Sequence, residues 1–118
     1  MVKSNGTYIG FAEINGAELY YEVAGEGDPL LLLHAGVADS RMWDDQIGVF
    51  AHYFQVIRYD LRGFGHSVVP PGAFSHHGDA AGLMRFLGIE RVNVIGASFG
   101  GSVAIDFTLE YPEMVEAE

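Results

Sequence analysis

Gly96-Ala97-Ser98-Phe99-Gly100 is the segment whose residue types and spacing could do covalent chemistry. It is a G-x-S-x-G pentapeptide placed where an apolar strand turns into a helix, a geometry that exposes a serine hydroxyl as a nucleophile. A hydroxyl attacks poorly at neutral pH unless a base takes its proton and donors meet the developing oxyanion. The amide of Phe99, just after the serine, points to where that oxyanion would form, and the helix dipole adds to the field. Gly96 and Gly100 suit a turn in which a side chain would collide with the neighbouring strand or helix. In a chain with 16 glycines the same five residues also fit a tight turn without catalysis.

Strand-turn-helix is a context that nucleotide sites share, and both nucleotide readings fail here. A phosphate-binding loop needs Gly-Lys-Ser/Thr, and Gly100-Gly101-Ser102 lacks the lysine. A dinucleotide fingerprint needs an acidic residue about 20 positions on, at the end of another strand, and the 118 residues end first.

The elements that must carry the turn are legible from punctuation and periodicity. Residues 8–14 and 17–24 flank Asn15-Gly16, a strong hairpin signal. Gly25 to Pro29 turns into Leu30-Leu31-Leu32-Leu33, whose lack of alternation suits a strand covered on both faces. Asp39 or Ser40 can cap a helix with Trp43, Ile47 and Phe50 on one side, and residues 54–59 read as the next strand. Residues 68–72 form a proline-containing loop. Ser75 can cap a second helix burying Ala80, Leu83, Met84 and Leu87, with Gly88 just past its end. Gly78 and Gly82 inside it should each cost about 1 kcal/mol, which makes it the weakest helix. A strand over 91–95 then leads into a helix over 98–111 with Val103, Ala104, Phe107 and Tyr111 buried, and Pro112 ends it or begins a new turn. A hairpin followed by alternating strands and helices predicts α/β, three layers, with a mostly parallel sheet.

Composition sets the outer limits. The 118 residues make one domain, 1–118, and 49% of them are apolar. Six basic against 16 acidic residues give a net charge of −10, which argues against nucleic acid or an anionic membrane as partner. The absence of cysteine removes disulfides and thiolate metal sites, and neither a metal nor a cofactor is expected. The longest apolar run, Leu30 to Leu33, is far too short to span a bilayer, so a cytoplasmic protein is the expectation.

Several segments together resemble the α/β-hydrolase family. They are Leu30 to Gly36, Trp43-Asp44, Tyr59 to Ser67, Phe86 to Ile89 and Val94 to Gly101. The resemblance covers the N-terminal half of that fold, through the nucleophile elbow and its helix, and is nearest to small ester, lactone and carbon–carbon hydrolases. It implies Ser98 as the catalytic nucleophile, Phe99 and Gly36 as oxyanion-hole amides, and Gly96 and Gly100 as the elbow glycines, with a small acyl or ester substrate. Ala35 stands where the family usually has glycine. The family's order is serine, then an acid, then histidine, and the 18 residues after Gly100 include no histidine. The expectation is therefore weak or no activity for this chain alone. The alternative is an engineered or ancestral-like half-fold acting as a non-catalytic scaffold.

The remaining candidates have plainer readings. His34 would lie near Ser98, as a loop histidine satisfied by backbone rather than as a substitute base. His76 and His77 are adjacent and cannot share a helix face, so they read as solvated cap residues, and His52 and His66 as surface positions. Asp60 and Arg62 read as braces of the strand-end turn. Trp43 reads as core, and Glu113, Glu116 and Glu118 as a solvated face. The strand over 91–95 would be left as an exposed apolar edge, from which a homodimer or higher oligomer is expected.

Overall fold

The computed structural model describes residues 7–67 and 72–117, so the loop expected over 68–72 lies almost wholly outside the described residues. Strand β1 (Tyr8–Ile14) and strand β2 (Ala17–Ala24) form the hairpin. Asn15 and Gly16 both have positive φ, 50° and 84°, as a tight two-residue turn between twisted strands requires. Then come β3 (Asp28–Leu33), a 3₁₀ turn (Ser40–Trp43), α1 (Asp44–Phe50), β4 (Phe54–Tyr59) and α2 (His76–Phe86). The chain continues through β5 (Val92–Gly96), α3 (Phe99–Glu110), a second 3₁₀ turn (Pro112–Met114) and β6 (Val115–Ala117). The six strands lie in the order β1-β2-β4-β3-β5-β6, antiparallel across the hairpin and its join to β4, and parallel beyond.

The leucine run shows why three layers form. Alternate side chains of a strand leave on opposite faces. Leu31 and Leu33 enter the larger core with Ile57, Tyr59, Leu83 and Phe107, under α2 and α3. Leu30 and Leu32 enter a smaller core with Val56 and Trp43, under α1. In α3, Val103, Ala104 and Phe107 are buried while Tyr111 is only half-buried, because the helix ends at Glu110. Pro112 opens the second 3₁₀ turn.

One expectation is corrected. The chain was read as leaving the strand 91–95 on the sheet edge, but β6 pairs in parallel with its start, Val92 with Val115 and Asn93 with Ala117. The 3₁₀ turn at Pro112 reverses the chain tightly enough for this return. Only the outer side of Val94 to Gly96 has no strand partner among the described residues.

Helix α2 is held to the sheet by a buried ion pair. The Arg62 guanidinium donates to both Asp79 oxygens at 3.0 and 2.9 Å and to the carbonyls of Ile14 and Asn15 at 3.3 and 3.1 Å. Asn15 completes the bridge by donating to the Gly78 carbonyl and to Asp79. Arg62 thus reaches beyond its own turn and ties the hairpin tip to the first turn of α2. Gly82 follows from the same contact, since a Cβ there would lie 2.6 Å from the Ile14 side chain. Ser75 caps α2 by accepting the Gly78 amide at 3.1 Å, and Gly88 closes it at φ 74°.

Both partners of the ion pair are almost fully buried, at 4% and 1% exposure. Asp79→Ala leaves the guanidinium uncompensated and is expected to destabilise the protein by about 3–5 kcal/mol, whereas the apolar pair Arg62→Met with Asp79→Leu costs much less. Urea unfolding of both variants checks this.

Candidate active site

At the carboxyl end of β5 the chain turns into α3 through Ser98, which sits at φ 55°, ψ −113°. Asn15 is the other described non-glycine residue at positive φ. Such a conformation costs about 1–3 kcal/mol and persists only where the surroundings impose it. Here the surroundings are backbone. A Cβ on Gly96 would run into the Gly100 carbonyl, and one on Gly100 into the carbonyls of Leu33 and His34. The first turn of α3 lies directly on the ends of β3 and β5, and the chain can reach it only through a sharp turn at 98. Ser98 is exposed, and its hydroxyl makes no capping hydrogen bond.

Two residues at this corner, Phe99 and Gly36, have backbone amides outside the hydrogen-bond network of the described residues. Phe99 is the first residue of α3, where no intrahelical acceptor is available. Gly36 lies in the turn closed by the Ala38 amide donating to the Ala35 carbonyl at 3.1 Å, and its own amide has no acceptor among the described residues. A Cβ on Gly36 would stand 3.1 Å from that of Phe99, so the two loops are in contact. Ala35, at the usual glycine position, does not adopt positive φ, so the loop needs no glycine there.

His34 is fully buried beneath this loop. Its Nε2 accepts the Leu61 amide at 2.9 Å, which places the proton on Nδ1, and Nδ1 donates to the Ala35 carbonyl at 2.8 Å. Both ring nitrogens are engaged, so no lone pair remains to take a proton from Ser98. His34 instead holds the Gly36 turn in place. Asp60 is likewise committed, accepting the amides of Ser40 and His66 at 2.8 Å each. His52 and His66 are exposed, and His66 rests on Asp60 at 3.3 Å. Trp43 is buried in the smaller core.

His76 departs from its expected place in solvent. It is half-buried, with its ring 5.1 Å from Phe74, 5.3 Å from Phe99 and 6.3 Å from Phe64. Burial is the main cause that holds its imidazole below the ordinary value; the Asp79 carboxylate opposes this, and Arg62, His34 and His77 add to it. Sequence reading missed this aromatic wall. A signal existed: a helix that follows a strand in an α/β unit starts at the carboxyl edge of the sheet, so the first turn of α2 had to lie on the same side as Ser98. No group of side chains suited to a metal ion occurs among the described residues. Nor is any described helix long and apolar enough to cross a membrane.

The family profile of the alpha/beta hydrolase fold matches residues 28–117. The chain belongs to the α/β-hydrolase family. It is 40% identical over 108 residues to a soluble epoxide hydrolase of Corynebacterium sp. strain C12, covering 89% of this chain and 38% of that protein. It is 34% identical over 123 residues to the 2-hydroxy-6-oxo-6-phenylhexa-2,4-dienoate hydrolase of Comamonas testosteroni, covering 93% and 43%. Among solved structures, the epoxide hydrolase CorEH superposes with a TM-score of 0.89 at 38% identity, over 93% of this chain and 40% of that one. The chain therefore spans about two fifths of the length of these α/β-hydrolases.

The strain at Ser98 gives a direct check on the elbow. Ser98→Gly is expected to raise stability by about 1–2 kcal/mol, because glycine adopts the imposed dihedrals freely, while Ser98→Ala gains nothing. Thermal unfolding of the two variants side by side measures the difference.

Proposed function

We propose that Ser98 is the nucleophile of an acyl-transfer hydrolysis, with the Gly36 and Phe99 amides as its oxyanion donors. The observation that carries this reading is the strained, exposed Ser98 beside two unpartnered amides. In the proposed reaction Oγ attacks the carbonyl carbon of an ester or related acyl compound and its proton passes to a base. The carbonyl electrons move onto oxygen, facing the two amides. They return as the bond to the leaving group breaks, giving an acyl ester on Ser98 that water then hydrolyses. Serine suits acyl substrates better than epoxides, since a serine ether has no easy route to hydrolysis. The phenylhexadienoate hydrolase of Comamonas, whose substrate carries a 6-oxo carbonyl, supports the same chemistry.

No described imidazole or carboxylate hydrogen-bonds the Ser98 hydroxyl, so residues 1–118 by themselves should acylate slowly and deacylate more slowly. Oxyanion donors and binding alone retain about 10³–10⁴-fold over water in a triad enzyme stripped of its members. With p-nitrophenyl acetate, a burst of nitrophenolate stoichiometric with protein is expected, absent in Ser98→Ala. Unchanged release in that variant would refute the reading.

A second reading, self-association, is favoured by the unpaired outer side of Val94 to Gly96. Ile95, Ile105 and Leu109 are exposed on that flank, at 39%, 53% and 75%. Open strand edges with apolar surroundings pair with other chains. We propose a two-fold dimer of residues 1–118 through this flank; sedimentation giving a monodisperse monomer at high concentration would rule it out.

A further inference from the structure

Of the aromatic rings beside Ser98, Phe64 packs against the larger core, whereas Phe74, His76 and Phe99 belong to neither core. Phe74 and Phe99 are 41% and 39% exposed, yet their rings are ordered against His76 and Phe64 rather than scattered over the surface. Phe74 is fixed from one side by the Arg62 guanidinium, 4.6 Å from its ring centre. That guanidinium is itself locked by Asp79. His76 Nδ1 is buried with no hydrogen-bond partner among the described residues, an arrangement least costly when that nitrogen is unprotonated and the imidazole is neutral. The wall begins at Phe99, the residue that donates one oxyanion amide, and runs to the first turn of α2. In the proposed reading, a substrate with its carbonyl oxygen at the Gly36 and Phe99 amides would have this wall beside one of its substituents.

We propose that Phe64, Phe74, His76 and Phe99 form a specificity subsite for a planar, uncharged, π-conjugated substituent, such as an aryl group, on the compound that Ser98 attacks. The proposal rests on the acyl-transfer reading only for its location next to the reacting carbonyl. Ring edges and faces at these spacings favour a second flat π-system over a puckered alkyl group of equal size. A cationic substituent is disfavoured because Arg62 already occupies one face of Phe74, and an anionic one by the charge of −10 on the chain. The subsite discriminates by shape and ring polarity.

The test uses the intact protein and carbonyl probes that cannot turn over under the assay: the neutral N-benzylacetamide and its cyclohexylmethyl counterpart, and a cationic trimethylammonium analogue of similar size. Affinities are measured by chemical-shift titration. The benzyl probe is expected to bind about fivefold to tenfold tighter than the cyclohexylmethyl probe, with the cationic probe no better than the latter. Ser98→Ala is expected to keep that preference, which separates the subsite from nucleophilic catalysis: loss of the ester burst reports on Ser98, and the probe ratio reports on the wall. Phe74→Leu, a surface change that the fold tolerates, and His76→Leu should each bring the ratio to within about twofold. Equal binding of the benzyl and cyclohexylmethyl probes, a preference unchanged in both leucine variants, or tighter binding of the cationic probe would overturn the proposal.

Discussion

The contact on which the site depends is between backbones: the first turn of α3 lies against the carboxyl ends of β3 and β5 with no side chain between them. Gly96 and Gly100 permit it, since a Cβ on either would meet carbonyl groups that cannot yield. Once the helix is that close, the connecting residue has no relaxed conformation available, and Ser98 takes φ 55°. The strain is thus a product of close packing. The same approach brings Phe99 against Gly36, so residues of two separate loops meet beside Ser98. In the proposed reading, a single packing event would place both the nucleophile and its oxyanion donors.

Around that contact the carboxyl edge of the sheet is built from buried polar groups, each satisfied by backbone or by an opposite charge. His34 ties β3 to the chain after β4, Asp60 ties that chain to the 3₁₀ turn before α1, and Arg62 with Asp79 ties it to the hairpin and α2. A buried polar group left unpaired costs far more than a paired one contributes. These residues therefore act mainly by making alternative arrangements of the loops expensive. They also explain why His34 and Asp60 do not act as partners of Ser98: their hydrogen-bonding atoms are already engaged in holding the Gly36 turn and the turns at Ser40 and His66.

Much of this was legible in the sequence because the signals were local. Asn15-Gly16, the Leu30 to Leu33 run, the Ser75 cap and the glycines at 96 and 100 each state a backbone requirement that short-range physics decides. Three features were not legible, and all are long-range. The return of residues 115–117 to pair with β5 depends on how tightly the Pro112 turn reverses. Gly82 reads as a weakness in α2 until Ile14, 68 positions earlier, is seen resting on it. His76 reads as solvated because its neighbours Phe64 and Phe99 come from two other loops, one of them 23 residues further on. The common cause is that periodicity describes one element at a time, whereas a site is assembled from the ends of several.

The family relationship settles the scaffold more firmly than the reaction, and the reason lies in one atom. A relative 40% identical over nearly the whole chain is a soluble epoxide hydrolase, so sequence similarity alone would point to ring opening. Function follows from the site rather than the fold. What a covalent nucleophile must leave behind is an intermediate that water can cleave. In the proposed reaction Oγ of Ser98 adds to an acyl carbonyl and, as the bond to the leaving group breaks, leaves an ester that the same two amides would help water to cleave. Oγ added to an epoxide carbon gives a dialkyl ether, with no carbonyl for those amides to polarise and no route back to free enzyme. In the proposed reading, the serine at position 98 therefore directs a scaffold shared with an epoxide hydrolase towards acyl substrates, and the aromatic wall would sort among those by shape.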